Sequence, residues 1–306
     1  MRGKFVIVGL ILALTGMAAQ AQEKAAVAIP NDLYCSGVIT TEDVPRNTIL
    51  ITGEQSNYKL TFQEGDYAYV NKGSKQGVKV GDVFSVIRPV KDAFGIEWTK
   101  WQGSILRKMG TDWEDEGRVR VVVTHPDVSI AQVEHSCDYL QRGDVVVPFT
   151  ERQSPPIKPA SEFDRFAPPS GKPMAMVIVG RKFQQQLGTN DVAYVNLGRD
   201  QGVKVGDYFR VFRYQGTQHE TAYQTPRFSF DLEGNWGPTF GFVNNFEGNW
   251  QPPSGFGSVP WKYNWSNVPR EVIGEGVVVR TGTNSSSVLL TFALREIYAG
   301  DYVEIE

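Results

Sequence analysis

The stretch DYAYVNKGSKQGVKVGDVF, at residues 66–84, occurs a second time as DVAYVNLGRDQGVKVGDYF at residues 191–209. Extending the alignment to residues 66–90 and 191–215 matches 16 of 25 positions without a gap. A looser match continues between residues 117–147 and residues 274–304. Self-similarity of this kind is the signature of a repeated structural unit. We therefore predict two modules that arose by duplication.

Each copy has the side-chain alternation of a β-strand after its Gly-Asp pair. The positions that are identical in both copies all fall on one face of that strand, as a shared core requires. That face carries Asp82, Phe84, Val86 and Arg88 in the first copy, and Asp207, Phe209, Val211 and Arg213 in the second. In each Gly-Asp pair we expect glycine to make the turn and aspartate to bond a main-chain N–H two residues on. Residues 131–137 and 289–295 are compatible with short helices or with strands.

These patterns predict an all-β protein made of two small, closed or half-closed β-barrels. The glycine-rich centre of the repeat is not expected to hold a phosphate, because no helix follows it. The predicted modules are residues 22–150, with an N-terminal segment, and residues 174–306. Between them, residues 151–173 contain six prolines, which predicts an extended, semi-rigid linker. We expect Phe163 and Phe166 to dock that linker onto a module.

The N-terminus has the features of a secretory signal peptide at residues 1–21. Arg2 and Lys4 precede the apolar run FVIVGLILAL, and the small residues Ala19 and Ala21 suit cleavage after Ala21. The alternative is an uncleaved membrane anchor. With the signal removed, no transmembrane span is predicted, and we expect an exported protein of the periplasm or outer cell envelope.

The two cysteines, Cys35 and Cys137, could form a disulfide in an oxidising compartment. The competing hypothesis is two separate buried thiols. A net charge of −3 leaves no basic footprint for nucleic acid.

The two copies differ most in the segment that joins their halves. In the second copy this segment spans residues 216–273, and it contains the partial repeat DLEGNWGPTFGF and NFEGNWQPPSGF. Aromatic side chains are typical anchors for sugars and protein partners. The candidate binding residues are therefore Trp236, Trp250, Trp261, Tyr263 and Trp265. The alternative is a flexible glycine-rich loop whose aromatic residues pack on their own barrel.

The shorter segment of the first copy carries three tryptophans within residues 98–118. It also carries an acidic cluster, Asp112, Glu114, Asp115 and Glu116, which we expect to form a solvated face.

No arrangement of residues identifies a reaction. The three histidines lie in different segments without metal-ligand spacing, and no nucleophile elbow, Walker loop or dinucleotide fingerprint is present. We predict no catalytic residue, no metal and no cofactor. A pair of carboxylates for glycoside hydrolysis could still meet in the folded chain.

The phrase YVNLGRDQGVKVGDYFRVFR, at residues 194–213, with YAGDYVEIE at residues 298–306, resembles the C-terminal domain of the flagellar assembly protein T family. The resemblance implies a small β-barrel, here in two copies, and a periplasmic protein of a flagellar basal-body ring. The sequence therefore predicts a non-catalytic scaffold or binding protein of the bacterial envelope. Its expected partner is an envelope protein or a cell-wall glycan, and homo-oligomerisation is left open. The alternative function is a carbohydrate- or peptidoglycan-binding protein, with or without glycan hydrolase activity.

Overall fold

A computed structural model describes residues 26–55, 58–92, 95, 97–214 and 269–306 of this chain. Strands dominate these residues, and the two α-helices among them are short. The prediction of an all-β fold is confirmed.

The N-terminal half contains a seven-stranded sheet with the order β2-β4-β7-β6-β5-β9, in which β1 also pairs with β6. An isolated bridge between Ile49 and Val145 brings the two edges of that sheet together. Strands β3 and β8 pair separately. The elements are α1 (Pro30–Tyr34), β1 (Val38–Thr40), β2 (Leu50–Gly53), β3 (Thr61–Phe62), β4 (Tyr67–Val70), β5 (Val83–Val90), α2 (Gln102–Met109), β6 (Thr111–Thr124), β7 (Ser129–Ser136), β8 (Leu140–Gln141) and β9 (Val145–Pro148).

The C-terminal half forms a closed barrel with the order β10-β12-β15-β14-β13-β17, and β11 pairs with β16 beside it. This order corresponds strand for strand to the order in the N-terminal sheet. The elements are β10 (Met174–Gly180), β11 (Gln186–Leu187), β12 (Val192–Val195), β13 (Tyr208–Arg213), β14 (Glu271–Thr281), β15 (Ser286–Ala293), β16 (Ile297–Tyr298) and β17 (Tyr302–Ile305).

The repeated stretch forms the same turn in both halves. Gln201 Oε1 accepts a hydrogen bond from the Gly198 N–H at 2.8 Å, and Gln76 accepts one from Gly73 at 2.9 Å. Gly202 then adopts a left-handed φ of 85°, which glycine reaches without a steric cost. The glutamine side chain of each copy thus holds the backbone of its own turn.

The Gly-Asp pairs also have a local structural role, but its direction differs from our expectation. Asp207 Oδ2 accepts from the N–H of Lys204 at 2.8 Å, and Asp82 accepts from Lys79 at 2.8 Å. The partner lies three residues before the aspartate, not two residues after it. The aspartate side chain therefore closes the turn that precedes it. The N–H groups that follow the aspartate belong to the strand, which pairs with its neighbours.

The face that is identical in both copies points into each core, as predicted. Phe209 and Val211 belong to the buried core of the C-terminal barrel. Val86 is buried in the N-terminal core, and Phe84 packs against it. The last identical position on this face, in β5 and in β13, is an arginine. Each arginine pairs with a buried aspartate. Arg213 Nε lies 2.6 Å from Asp301, and Arg88 Nε lies 2.7 Å from Asp144.

The outer face of the C-terminal barrel is also buried, because the N-terminal half packs on it. Ile178 and Tyr194 face outward and join Leu33, Ile39 and Met109 in one apolar cluster. The Tyr194 hydroxyl donates to the Ser36 carbonyl at 3.1 Å. Fully burying one large apolar side chain contributes roughly 1.5–3 kcal/mol, so this cluster joins the two halves firmly.

The proline-rich residues 151–173 pack on both halves and do not act as a spacer, since Arg152 pairs with Asp115 and Pro156 forms a bridge with Val27. Ile157 packs against the cluster between the halves, and the ring of Phe163 lies 4.6 Å from that of Phe292. Docking through Phe163 is thus confirmed, whereas Phe166 is 82% exposed.

Two runs that were compatible with helix or strand are strands, since residues 131–137 and 289–295 coincide largely with β7 and β15. The helix α2 was not predicted. It lies in the segment between β5 and β6, and its residues Ile105 and Leu106 pack on the cluster between the halves.

Candidate functional site

The predicted binding residues Trp236, Trp250, Trp261, Tyr263 and Trp265 lie outside the described residues. The structure does show where their segment is attached, and it places the last three residues of the expected range 216–273 in β14. Arg213, at the end of β13, is the register partner of Glu271, at the start of β14. The aromatic segment therefore leaves and rejoins the barrel at one point, between two directly paired strands.

An aromatic cluster lies at this attachment point. The ring centroids of Phe212 and Tyr302 are 5.8 Å apart, and those of Tyr214 and Tyr302 are 5.3 Å apart. The Arg270 guanidinium lies 4.1 Å from the Phe212 ring centroid and pairs with Glu304. Stacked rings and a cation–π contact fix the attachment point rigidly.

A groove of about 480 Å³ runs beside the aromatic cluster. Its lining includes Phe166, Pro168, Met174 and Tyr214. Phe166 and Met174 are 82% and 56% exposed. The exposed apolar side chains of this groove therefore come from the linker and from the start of β10.

Cys35 and Cys137 form a disulfide, with their Cα atoms 5.4 Å apart. The bridge ties the end of α1 to the turn after β7. His135 Nε2 lies 3.3 Å from Cys35 Sγ, and in the described part of the chain these three residues form the one group of three potential metal ligands. Because the two sulfurs are bonded to each other, neither is a free thiolate nucleophile or metal ligand.

The acidic cluster at the start of β6 does not form a solvated face, so this prediction was wrong. Asp112, Glu114, Asp115 and Glu116 are all buried, each with at most 5% of its surface exposed. The start of the strand is covered by α2, by the N-terminal segment and by the C-terminal half. Carboxylates in such a position need partners inside the protein.

Asp115 finds those partners in the other half of the protein and in the linker. Its Oδ1 lies 3.0 Å from the Arg280 guanidinium, its Oδ2 lies 3.5 Å from Arg152, and the Gly37 N–H donates to it at 3.0 Å. Burial by itself would raise the pKa of Asp115, but the two arginines outweigh burial and hold the pKa below its usual value.

Glu116 is only partly satisfied. Its Oε1 lies 3.1 Å from the Arg88 guanidinium, whereas its Oε2 has no hydrogen-bond partner. Burial raises the pKa of Glu116 to about 8, although Arg88 acts in the opposite direction and Asp144 adds to the rise. Burial also raises the pKa of Glu114, against the opposing effect of Arg181 and Lys182.

Asp112 is the exception on this strand, because both of its carboxylate oxygens lack a hydrogen-bond partner. Burial, and to a lesser extent the charge of Glu114, raises the pKa of Asp112 well above its usual value. Its backbone pairs with Ile39 of β1 on one side and with Val90 of β5 on the other. The strand therefore fixes the side chain in place without satisfying it.

Asp112 lines a cavity of about 550 Å³ where the two halves meet. The walls come from β1, β5, α2 and the residues after β10, and they include Ile39, Leu106 and Phe183. Gln102 of α2 holds the two halves together there, since its Nε2 donates to the Ile178 carbonyl at 2.6 Å. Ligand sites are commonly mostly apolar cavities of this size at interfaces between domains, with a few fixed polar groups.

Sequence reasoning missed this cavity. Its carboxylate was assigned to a solvated face, and its helix lies in a segment for which we predicted no helix. The available signal was the inward register of β6. Val119 and Val121 are buried in the core, and continuing that alternation toward the N-terminus leads to Asp115 but not to Asp112, Glu114 or Glu116.

Comparison with known proteins assigns neither a family nor a function to this chain. No protein-family model matches the chain, and no curated protein sequence matches it significantly. Among the helices of the described ranges, none has the length and apolar character needed to cross a bilayer.

Proposed function

We propose that this chain is an exported, non-catalytic scaffold or binding protein of the bacterial cell envelope, and that the part of residues 216–273 that precedes β14 carries its binding surface. The observation that supports this proposal most directly is the attachment of that segment. It leaves and rejoins a closed barrel at the paired residues Arg213 and Glu271. The barrel thus carries, at a single attachment point, a segment whose aromatic residues lie close together in sequence.

The body itself supports a role in presentation. The side chains of the repeated stretch bond their own turns, and the disulfide holds α1 against the N-terminal sheet. The two halves share a buried apolar cluster and the ion pair between Asp115 and Arg280. Because these contacts hold the two halves together, the attachment point of the segment keeps one orientation. A fixed attachment point lowers the entropic cost of binding.

The resemblance to the flagellar assembly protein T family and the predicted signal peptide support a location in the periplasm or outer envelope. There, an envelope protein is the favoured partner. A cell-wall glycan is the second candidate, and it rests on the tryptophans of the partly repeated EGNW motif, since tryptophan faces stack on sugars.

Retention of the full chain on purified peptidoglycan distinguishes the two partners. If the partner is a protein, wild-type chain will show no saturable retention. If the partner is a glycan, retention will be saturable, and Trp236→Ala and Trp250→Ala will abolish it. Tyr58→Ala serves as the control, because Tyr58 is an aromatic residue that is 90% exposed and lies outside both the segment and the groove.

A further inference from the structure

The two ends of the disulfide lie in different environments. Cys35, at the end of α1, is 3% exposed, whereas Cys137, in the turn after β7, is partly exposed. An external thiolate breaks a disulfide by attacking one of its two sulfurs, and access is one of the factors that decide which sulfur is attacked. Access therefore favours attack on Cys137, with Cys35 as the leaving group.

The surroundings of Cys35 suit a leaving group. His135 Nε2 lies 3.3 Å from Cys35 Sγ. Because a bridged sulfur carries no hydrogen, His135 must be the donor in this contact. The same N–H can stabilise a thiolate on Cys35, since a hydrogen bond to the charged form of a thiol lowers its pKa. A thiol of lower pKa leaves a disulfide faster.

Two oxygen atoms add to the difference between the two sulfurs. Asn31 Oδ1 lies 3.2 Å from Cys35 Sγ, where it can accept the hydrogen of a thiol once the released sulfur is protonated. The carbonyl oxygen of Tyr34 lies 3.3 Å from Cys137 Sγ. A carbonyl oxygen can only accept, so this contact cannot stabilise a thiolate on Cys137. The contact that can stabilise a thiolate thus lies at Cys35.

His135 and the end of α1 are both held by parts of the fold other than the bridge. His135 is the register partner of Arg118 in β6. Leu33 is buried in the cluster that joins the two halves, and the Tyr34 hydroxyl accepts from the Arg152 N–H at 3.1 Å. The Cys35 sulfur should therefore stay beside His135 when the bridge opens. From there it can displace the external thiol and close the bridge again.

We propose that this bridge is a site of thiol–disulfide exchange, at which an external thiol becomes attached to Cys137. The attacking thiol loses its proton to solvent, and its thiolate sulfur bonds to Cys137 Sγ. The bond between the two cysteine sulfurs breaks, and its electron pair stays on Cys35 Sγ as a thiolate that the His135 N–H stabilises. The external sulfur is oxidised and the Cys35 sulfur is reduced. This site is separate from the aromatic segment and does not depend on the function proposed above.

The direct test is exposure of the folded, full chain to reduced glutathione. An acid quench, alkylation of free thiols with N-ethylmaleimide and peptide mass spectrometry then locate each adduct. At short times we expect glutathione on Cys137 and the maleimide on Cys35. If the bridge opened only in the unfolded chain, the two cysteines would react alike. Equal adducts on the two cysteines, glutathione chiefly on Cys35, or no glutathione adduct would overturn the proposal.

Substitution of His135 tests the leaving group separately. His135→Leu removes the N–H and should slow the first exchange step about threefold or more. His135→Gln keeps an N–H donor and should recover part of the rate, which a purely structural role of His135 would not predict. His125→Leu is the matched control, because His125 is an exposed histidine between β6 and β7, and it should leave the rate unchanged.

An unchanged rate in a folded His135→Leu variant would overturn the role of His135, as would a glutamine variant no faster than the leucine variant. The position of the adduct in the wild-type chain needs no substitution, so it keeps the proposal testable if these variants fail to fold. The source of the thiol is assigned by a peptide of glycine and serine that contains one cysteine. Reaction of this peptide at Cys137 as fast as that of glutathione indicates the thiol of a protein partner. Reaction of glutathione alone indicates a small thiol.

Discussion

The carboxylate of Asp115, on β6 of the N-terminal half, lies 3.0 Å from the guanidinium of Arg280, on β14 of the C-terminal half. Asp115 is 3% exposed, so this ion pair is a buried link between two parts of the chain that are far apart in sequence. A buried carboxylate that loses one of its cationic partners is left with less compensation. The stability of each half should therefore depend on the other.

Removing this link should destabilise the whole protein. We expect Arg280→Ala to lower the free energy of unfolding by about 2–3 kcal/mol, less than the loss of a fully isolated buried pair, because Arg280 is 25% exposed and Arg152 still pairs with Asp115. Urea unfolding followed by tryptophan fluorescence measures this effect. Arg199→Ala is the matched control, because Arg199 pairs with Glu42 across the same two halves but both side chains are about half exposed. Its effect should stay within about 1 kcal/mol. Equal effects of the two substitutions would contradict the buried link.

Stability should fall as the pH rises from about 4.5 to about 8, because of Glu116. The folded protein holds the proton of Glu116 up to a pKa of about 8, whereas the unfolded chain releases it near its ordinary pKa of about 4.3. In that window the folded state binds more protons, so its stability decreases with pH. Asp112 and Glu114, on the same strand, act in the same direction, since burial also raises the pKa of each.

Urea unfolding of wild type and Glu116→Gln at about pH 5 and about pH 8 checks this window. Glu116→Gln should show a smaller loss of stability between the two conditions than wild type. Glu134→Gln is the control, because Glu134 is a more exposed partner of Arg120 on the neighbouring strand. If Glu116→Gln retained the full loss, Glu116 would not be its source.

The disulfide should be a major contribution to stability. Cys35 and Cys137 are separated by 102 residues, and closing a loop of that length stabilises a protein by roughly 4–5 kcal/mol in the chain-entropy account. Cys35→Ser with Cys137→Ser should lower the free energy of unfolding by about that amount. Thiol titration of the denatured protein should detect no free thiol before reduction and two after it. Two free thiols without reductant would contradict the bridge.

The repeated stretch should tolerate substitution according to backbone geometry. A Cβ at Gly198 would collide with the backbone nitrogen of Ser285, whereas a Cβ at Gly202 would meet nothing. Gly202 has a left-handed φ of 85°, so Gly202→Ala should cost only the roughly 1–2 kcal/mol of that conformation. Gly198→Ala must displace backbone and should cost more. Thermal unfolding ranks the two variants, and a reversed order would contradict this role of the stretch.

The barrel cores could be predicted from sequence because they are encoded locally. Phe209 and Val211 alternate along one strand, and their counterparts in the first copy are identical. The outer face of the C-terminal barrel could not be predicted in this way. Tyr194 is buried there only because Ser36 and its neighbours pack on it, and no pattern around Tyr194 indicates that contact.

The candidate site was missed for a similar reason. A run of acidic residues ordinarily lies in solvent, and the arginines that hold Asp115 in the interior, Arg152 and Arg280, are 37 and 165 residues away in sequence. The helix α2 was closer to being predictable. Arg107 and Lys108 lie in its last turn and Gly110 follows, which are the usual features of a helix C-terminus.

The central claim is that the segment at residues 216–273 makes the binding contacts and that the body formed by the two halves presents it. Photo-crosslinking in living cells tests this claim most directly, with a benzoylphenylalanine replacing Trp236 or Trp250 in the full chain. The control position is Lys75, which is exposed in the repeated turn of the N-terminal half. We predict a discrete crosslinked protein from positions 236 and 250 and none from position 75. Absence of a product from the segment, or the same product from position 75, would contradict the account.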